Sequence, residues 1–331
     1  MKKYDVLGIG SALLDLTFEV DDKLLSEMGI SKGEMQLISK ERSNEILKKL
    51  ENYPYKSSPG GSASNTISGV AAMGGSSAFV GKIGNDSYGK LYEEKTNEIG
   101  IASFLSKQEN EITGHAITFI TPDFERSFAV HLGASLFFKK EDVTLDLIKH
   151  SKILHLESYQ LANPDLCENI FYSAKMAKEN NLIISLDLSD AGLVKSNLPL
   201  FKEFIENYVN VVFANESEAE AFTQKKEKEA LEEISELCDI IIVKLGEKGS
   251  LIKSKEGLFE IPGFKVKVNN TNGAGDIYAS GILYGLSNNL DLEKSGKLAS
   301  YAASLVVASP GARLAKDLIM SLNNYKSELI K

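Results

Sequence analysis

From residue 152 onward one pattern repeats along the chain: a short apolar run, a helical stretch, then another apolar run. Residues 152–156 precede a helix over 164–179, and 182–186 precede a helical region that continues to Tyr208 and breaks near Pro199. Residues 209–213 lead into a helix over 216–222. Residues 239–243 lead into a Gly246–Gly249 turn and a strand pair at 250–253 and 257–261. Two helices rich in small residues, 274–286 and 292–308, close the series. Strands this apolar are buried on both faces, and strands joined through helices run parallel. The spacing therefore predicts a doubly wound, mostly parallel sheet with helices on both sides, a three-layer α/β/α arrangement.

The first half of the chain follows this pattern less closely. A buried strand over 4–10 ends in glycine, and an extended segment follows over 12–20. Residues 35–39 form another short strand and 41–50 a helix; a loop with Pro54 and Pro59 then ends at Gly60-Gly61. Residues 62–73 have the spacing of a buried helix capped by serine, 78–83 that of a strand, and 87–99 that of an amphipathic helix stopped by Gly100. Residues 116–131 read as a hairpin turning at Pro122-Asp123. The strand-rich insertions at about 12–40 and 115–131 do not belong in a parallel layer. We assign them to a small antiparallel β lid on one α/β domain spanning 1–331.

Several classes of function are excluded by composition. With 37 Lys and Arg against 46 Asp and Glu, the chain carries −9 and repels a phosphate backbone, so no nucleic-acid partner is expected. Cys167 and Cys238 make neither a disulfide framework nor a metal cluster, and His115, His131, His150 and His155 lack ligand spacing. The apolar stretch after Met1-Lys2-Lys3 is too short for a signal peptide, and no run reaches the roughly 18 apolar residues of a membrane span. A cytoplasmic protein without a membrane partner is expected.

The strongest local signal is Asn270-Thr271-Asn272-Gly273-Ala274-Gly275-Asp276, immediately before a helix. Gly273 and Gly275 let backbone N–H groups approach a ligand, and the helix start adds unpaired donors and a positive dipole end. Asp276 sets a carboxylate beside that anion site, where a hydroxyl can lose its proton; phosphoryl transfer requires both parts. A second glycine pair, Gly60-Gly61, opens the helix carrying Asn65, which both donates and accepts. Asp15, after the first strand, offers two acceptor oxygens to neighbouring sugar hydroxyls. Two rival nucleotide motifs fail. The run from Gly8 has Leu13 where a dinucleotide fingerprint needs glycine, and Gly81-Lys82 has Ser76 and Ile83 where a P-loop needs Gly and Ser or Thr. Asn215 and Glu218 lie at a strand's C-terminal end, where α/β folds bind ligands, and Lys244 to Gly249 forms a strand-to-turn junction.

In this order the pieces resemble the PfkB/ribokinase family of carbohydrate and nucleoside kinases. Residues 60–65 match its N-terminal Gly-Gly-x-x-x-Asn signature, and Lys82 to Gly89 resembles the stretch that follows it. Residues 215–218 match its N-x-x-E motif, and 270–276 match its D-T-x-G-A-G-D signature except at the first position. Gly10 to Asp15, the Pro-Gly-Gly-Ser opening and Leu132 to Ser135 look most like bacterial adenosine kinases.

The resemblance implies ATP-dependent phosphorylation of a primary hydroxyl, with adenosine as the first acceptor. Asp276 would be the base, and Gly273, Ala274 and Gly275 the anion hole. Asp15, Gly61, Asn65 and the hairpin's Arg126 would hold the acceptor. Asn215, Glu218, Lys244, Gly246, Gly249, Asn272 and Ala303 would bind ATP, with Glu218 organising Mg²⁺ through water. A base would need an apolar slot, which residues such as Leu14, Phe119 or Phe124 would line. Asn270 replaces the family's usual Asp, and the lost charge counts against K⁺ stimulation. Two alternatives stay open: a kinase of a free sugar such as ribose or fructose, and a nucleoside-binding protein without catalysis. Both a monomer and a homodimer are compatible with the sequence.

Overall fold

The computed structural model describes residues 2–123 and 125–331. Its strands run, in chain order, β1 (Tyr4–Ile9), β2 (Leu14–Glu19), β3 (Met35–Leu37), β4 (Tyr55–Pro59), β5 (Ser77–Gly84), β6 (Ala102–Gln108) and β7 (His115–Ile120). They continue as β8 (Arg126–His131), β9 (Ser151–Glu157), β10 (Ile183–Asp187), β11 (Val211–Asn215), β12 (Ile240–Lys244), β13 (Ser250–Ser254) and β14 (Gly257–Ile261).

Nine of these form the large sheet, ordered β14-β13-β12-β11-β10-β9-β1-β5-β6. All its pairings are parallel except those of β13 with β12 and β14. Successive residues of the central strands enter different cores, as the two-residue period requires. Leu7, Leu154, Leu156, Ile184, Leu186 and Val212 face the helices Pro164–Glu179 and Leu198–Tyr208. Val6, Ile153, Val211, Phe213 and Ile242 face the helices Ser62–Ala72 and Ala274–Ser287. Each central strand is thus sealed on both sides, and its polar chemistry is confined to its C-terminal end.

Strand order reverses at β1. The chain runs from β1 through β5 to the β6 edge, then crosses back to lay β9 on the other side of β1. The crevice between the C-terminal ends of β1 and β9 is therefore a topological switch point, where open α/β sheets bind ligands.

The second sheet, ordered β3-β8-β7-β2-β4, is mixed rather than simply antiparallel: β2 pairs parallel with β7, and β3 with β8. It also takes in β4, whose prolines and polar residues read as a loop. Pro59 sits at the end of this edge strand, where its missing N–H breaks no ladder. Several elements escaped the sequence reading, among them the short helices Leu145–Lys149 and Ser158–Leu161; three more stand out. The helix Asp22–Glu27 lies inside the strand-rich insertion, β6 is a half-exposed edge strand, and the helix Lys316–Ile330 buries only Leu322 fully. Their apolar patterns are weak because each is covered on one side at most.

Candidate active site

The helix Ala274–Ser287 starts from Gly273 in the left-handed region, at φ +74°. A Cβ there would meet the Ala312 carbonyl oxygen at 2.2 Å, so glycine is required both by conformation and by the 312 backbone. The Ala274 N–H donates to the Thr271 carbonyl at 3.2 Å, while those of Gly275 and Asp276 have no backbone acceptor among the described residues. Ala274, Gly275 and Asp276 line a cavity of about 690 Å³, together with Asn215, Glu218, Lys244, Gly246, Gly249 and Ala303.

Asp276 is held by the helix Ser62–Ala72. Ser62 Oγ donates to its Oδ1 at 2.7 Å and Asn65 Nδ2 to its Oδ2 at 3.0 Å. Ser62 is therefore not the cap that its position suggested. Gly61 is the N-cap, at φ +91°, and a side chain there would strike the Ser11 carbonyl oxygen at 2.1 Å. Burial raises the Asp276 carboxyl to about 6, against its hydrogen bonds from Asn65 and Ser62. A base titrating there is mostly ionised at neutral pH yet still accepts a proton usefully.

Asp15 approaches from β2 and lies against Gly60, where a Cβ would come within 2.6 Å of its oxygens. Burial raises it to about 6 as well, with Arg313 working against the shift. Glu157, at the end of β9, bridges the switch point: its oxygens accept the N–H groups of Ser11 and Ala63, each at 2.9 Å. Burial brings its pKa to about 7.

Asp15 and Glu157 do not line that cavity; Lys244 and Asp187 do, and Lys244 Nζ bonds Asp187 Oδ2 at 2.9 Å. Burial works against the ammonium, but Asp187 and Glu218 outweigh it and hold its pKa above the ordinary lysine value. The same Nζ lies 3.1 Å from where a Cβ on Gly275 would stand, so Gly275 leaves the lysine beside the helix start. Glu218 closes a capping box: its oxygens accept from the Asn215 N–H at 2.8 Å and Nδ2 at 2.6 Å. Burial raises Glu218 to about 7, with Lys244 opposing.

The remaining sequence-derived residues are more dispersed. Asn272 does not line the cavity; its N–H donates to Asn270 Oδ1 at 3.0 Å. Asn270 Nδ2 in turn donates to the carbonyls of Pro310 and Gly311, at 3.3 and 3.2 Å. Arg126 lies at the rim, four residues along the second sheet's ladder from the level of Asp15. Its Nη2 donates to the Pro310 carbonyl at 3.0 Å. Leu14 and Phe119 do not face Asp15. Ladder register turns them to the opposite face of the second sheet, where both are fully buried in its core. Phe124 lies outside the described residues.

Polar residues at the site that were not singled out from the sequence include Asp187, Glu157, Arg313, Tyr159 and Ser189. Asp187 and Glu157 end apolar strands, the same signal that marked Asn215. Arg313 is one of three arginines and follows the turn Pro310-Gly311-Ala312, a signal too slight to find it alone.

A family model described as pfkB family carbohydrate kinase matches residues 30–318. Among solved structures, adenosine kinase from Sinorhizobium meliloti is similar at TM-score 0.89 and 32% identity, over 98% of this chain and 99% of that one. A probable sugar kinase from Rhizobium etli CFN 42 is similar at TM-score 0.89 and 31% identity, over 99% of both chains. Among curated proteins, the 5-dehydro-2-deoxygluconokinase of Listeria monocytogenes serovar 1/2a is 27% identical over 270 residues. That match spans 78% of this chain and 83% of the relative.

Proposed function

The chain belongs to the pfkB family of carbohydrate kinases, and from that premise we propose that it transfers the γ-phosphoryl group of ATP to a primary hydroxyl of a nucleoside, adenosine first. One observation carries the nucleoside reading. The face of the second sheet that bears Asp15 also carries Ala116, Thr118, Phe128, Val130, Met35 and Leu37, by ladder register. Met35 and Leu37 are 48% and 65% exposed, an unusual state for apolar strand residues on the face of a half-buried carboxylate. An aromatic base can cover that surface while its ribose reaches Asp15; a free sugar leaves it bare. The 32% identity to an adenosine kinase across nearly the whole chain supports the same acceptor.

The reaction follows from the positions of the groups. Asp15, Gly61 and Asn65 hold the acceptor's ring hydroxyls, and the primary hydroxyl lies at Asp276. Asp276 takes its proton as the oxygen attacks the γ-phosphorus, and the bond to the bridging oxygen breaks to release ADP. Charge on the transferring phosphoryl group meets the N–H groups at Gly273–Gly275, the helix dipole and Lys244. Mg²⁺, when bound, neutralises the phosphates. Both Glu218 oxygens accept from Asn215, so Glu218 would hold the ion through water, in keeping with how reluctantly Mg²⁺ sheds its hydration. A K⁺ requirement is not part of this proposal, because Asn270 Nδ2 already donates to the two carbonyls beside it.

The second reading, a kinase of a free sugar or sugar acid, is favoured by the curated relatives, which act as 5-dehydro-2-deoxygluconokinases. ADP release from Mg-ATP separates the two, measured with adenosine, guanosine, inosine, ribose, fructose and 5-dehydro-2-deoxygluconate. The nucleoside reading expects adenosine to lead in kcat/KM by tenfold or more. Turnover confined to the sugars overturns it.

A further inference from the structure

Arg313 is the one guanidinium among the groups around Asp276, and its bonds are unevenly distributed. Nε donates to Asn65 Oδ1 at 2.9 Å, and Nη2 donates to Ser64 Oγ at 2.8 Å and the Gly60 carbonyl at 3.5 Å. Nη1 is shielded from solvent and has no hydrogen-bond partner among the described residues. A charged donor left this way is more costly than a neutral one, and the neighbouring Tyr92 hydroxyl is already committed to Ser64 Oγ and the Gly60 carbonyl, so a ligand oxygen that accepts from Nη1 is favoured there. Asp15 has the complementary gap. Its half-buried carboxylate lies against Gly60, the residue whose carbonyl meets Nη2, yet neither accepts a hydrogen bond nor makes an ion pair among the described residues.

A donor and an acceptor thus flank one residue, Gly60, without bonding each other, beside the Asn65 that holds Asp276. We propose that Arg313 is an acceptor-binding residue: Nη1 donates to a ring hydroxyl of the acceptor, and that hydroxyl or its neighbour donates to Asp15. A hydroxyl suits the gap because it accepts from one side and donates to the other. The two clamped nitrogens fix the plane of the guanidinium, so the third points one way, which a lysine cannot reproduce. The turn carrying Arg313 is anchored without it, through Asn270 to the Pro310 and Gly311 carbonyls. The assignment rests on the kinase reading but not on which acceptor is used, since ribose, nucleosides and sugar acids all present hydroxyls.

The test compares wild type, Arg313→Lys and Arg313→Gln, each checked for an unchanged melting transition. It uses the acceptor that the wild type turns over best, and analogues of that acceptor lacking one ring hydroxyl at a time. Expected is a 10- to 100-fold rise in acceptor KM for both variants, with ATP KM changed less than twofold. With one particular deoxy analogue the difference between wild type and variant should vanish. A penalty equal for every analogue, or shared equally by ATP, overturns the proposal and leaves Arg313 a structural clamp. Should a sugar rather than a nucleoside be the working acceptor, the nucleoside reading fails while the deoxy-sugar series still decides for or against Arg313. Silence of the wild type across all acceptors overturns both.

Discussion

Replacing Asp276 with Asn separates base catalysis from every other contribution of that side chain. The two donors that hold Asp276 are not equivalent. Asn65 Nδ2 cannot turn over, because its Oδ1 accepts from Arg313, whereas the Ser62 hydroxyl rotates and can accept as readily as it donates. An asparagine at 276 therefore settles with its oxygen toward Asn65 and its amide nitrogen toward Ser62, and both bonds survive. The variant also sheds a buried charge. Raising the carboxyl from 3.8 to about 6 corresponds to roughly 3 kcal/mol of destabilisation at neutral pH. Asp276→Asn is thus expected to melt no lower than wild type at pH 8. What it loses is the proton acceptor, a contribution of about 10²- to 10⁴-fold. The assay is ADP release at saturating Mg-ATP and acceptor, beside calorimetric titration of the acceptor into each protein. We expect kcat to fall at least a hundredfold while the acceptor Kd stays within about threefold. A variant keeping a tenth of the wild-type rate would refute the assignment of the base.

The pH profile follows from the same carboxyl. Asp276 accepts a proton only when ionised, so kcat/KM for the acceptor should fall about tenfold per pH unit below about 6; a profile flat to pH 5 contradicts this. Lys244→Met leaves Asp187 buried without its cation and should cost about 3–5 kcal/mol in urea unfolding. It should also raise the KM for ATP, and a loss under about 1 kcal/mol in that unfolding experiment would show the pair to be unimportant. Asn270→Asp replaces an amide donor with a carboxylate facing the Pro310 and Gly311 carbonyls, a cluster of oxygens that only a cation relieves. Activity of this variant should rise with added KCl, while that of the wild type should not; equal responses sink the argument.

How legible the molecule was in its sequence depended on how local each signal is. The strands β9 to β12 announce themselves because burial on both faces makes them largely apolar, and their connecting helices are amphipathic. β4 and β6 are edges, so their patterns are diluted. The hairpin β7–β8 was readable, but which of its faces meets Asp15 was not: register fixes that, and register is a contact with β2, about a hundred residues away. Hence Leu14 and Phe119 were assigned to a surface that Ala116, Phe128 and Val130 occupy. Gly273–Asp276 could be recognised because glycine, helix start and carboxylate are neighbours in the chain. Glu157 and Arg313 acquire meaning only through partners 94 and 248 residues distant.

The groups around Asp276 come from opposite ends of the polypeptide. Ser62 lies 214 residues before it, and Asn65 is held by an arginine 248 residues further along the chain. A chain that stops at 308 contains the carboxylate and the glycine turn but neither the arginine nor the backbone oxygen against which Gly273 packs. The centre is therefore a junction of three distant segments, and residues past 308 belong to it as much as the glycine turn does.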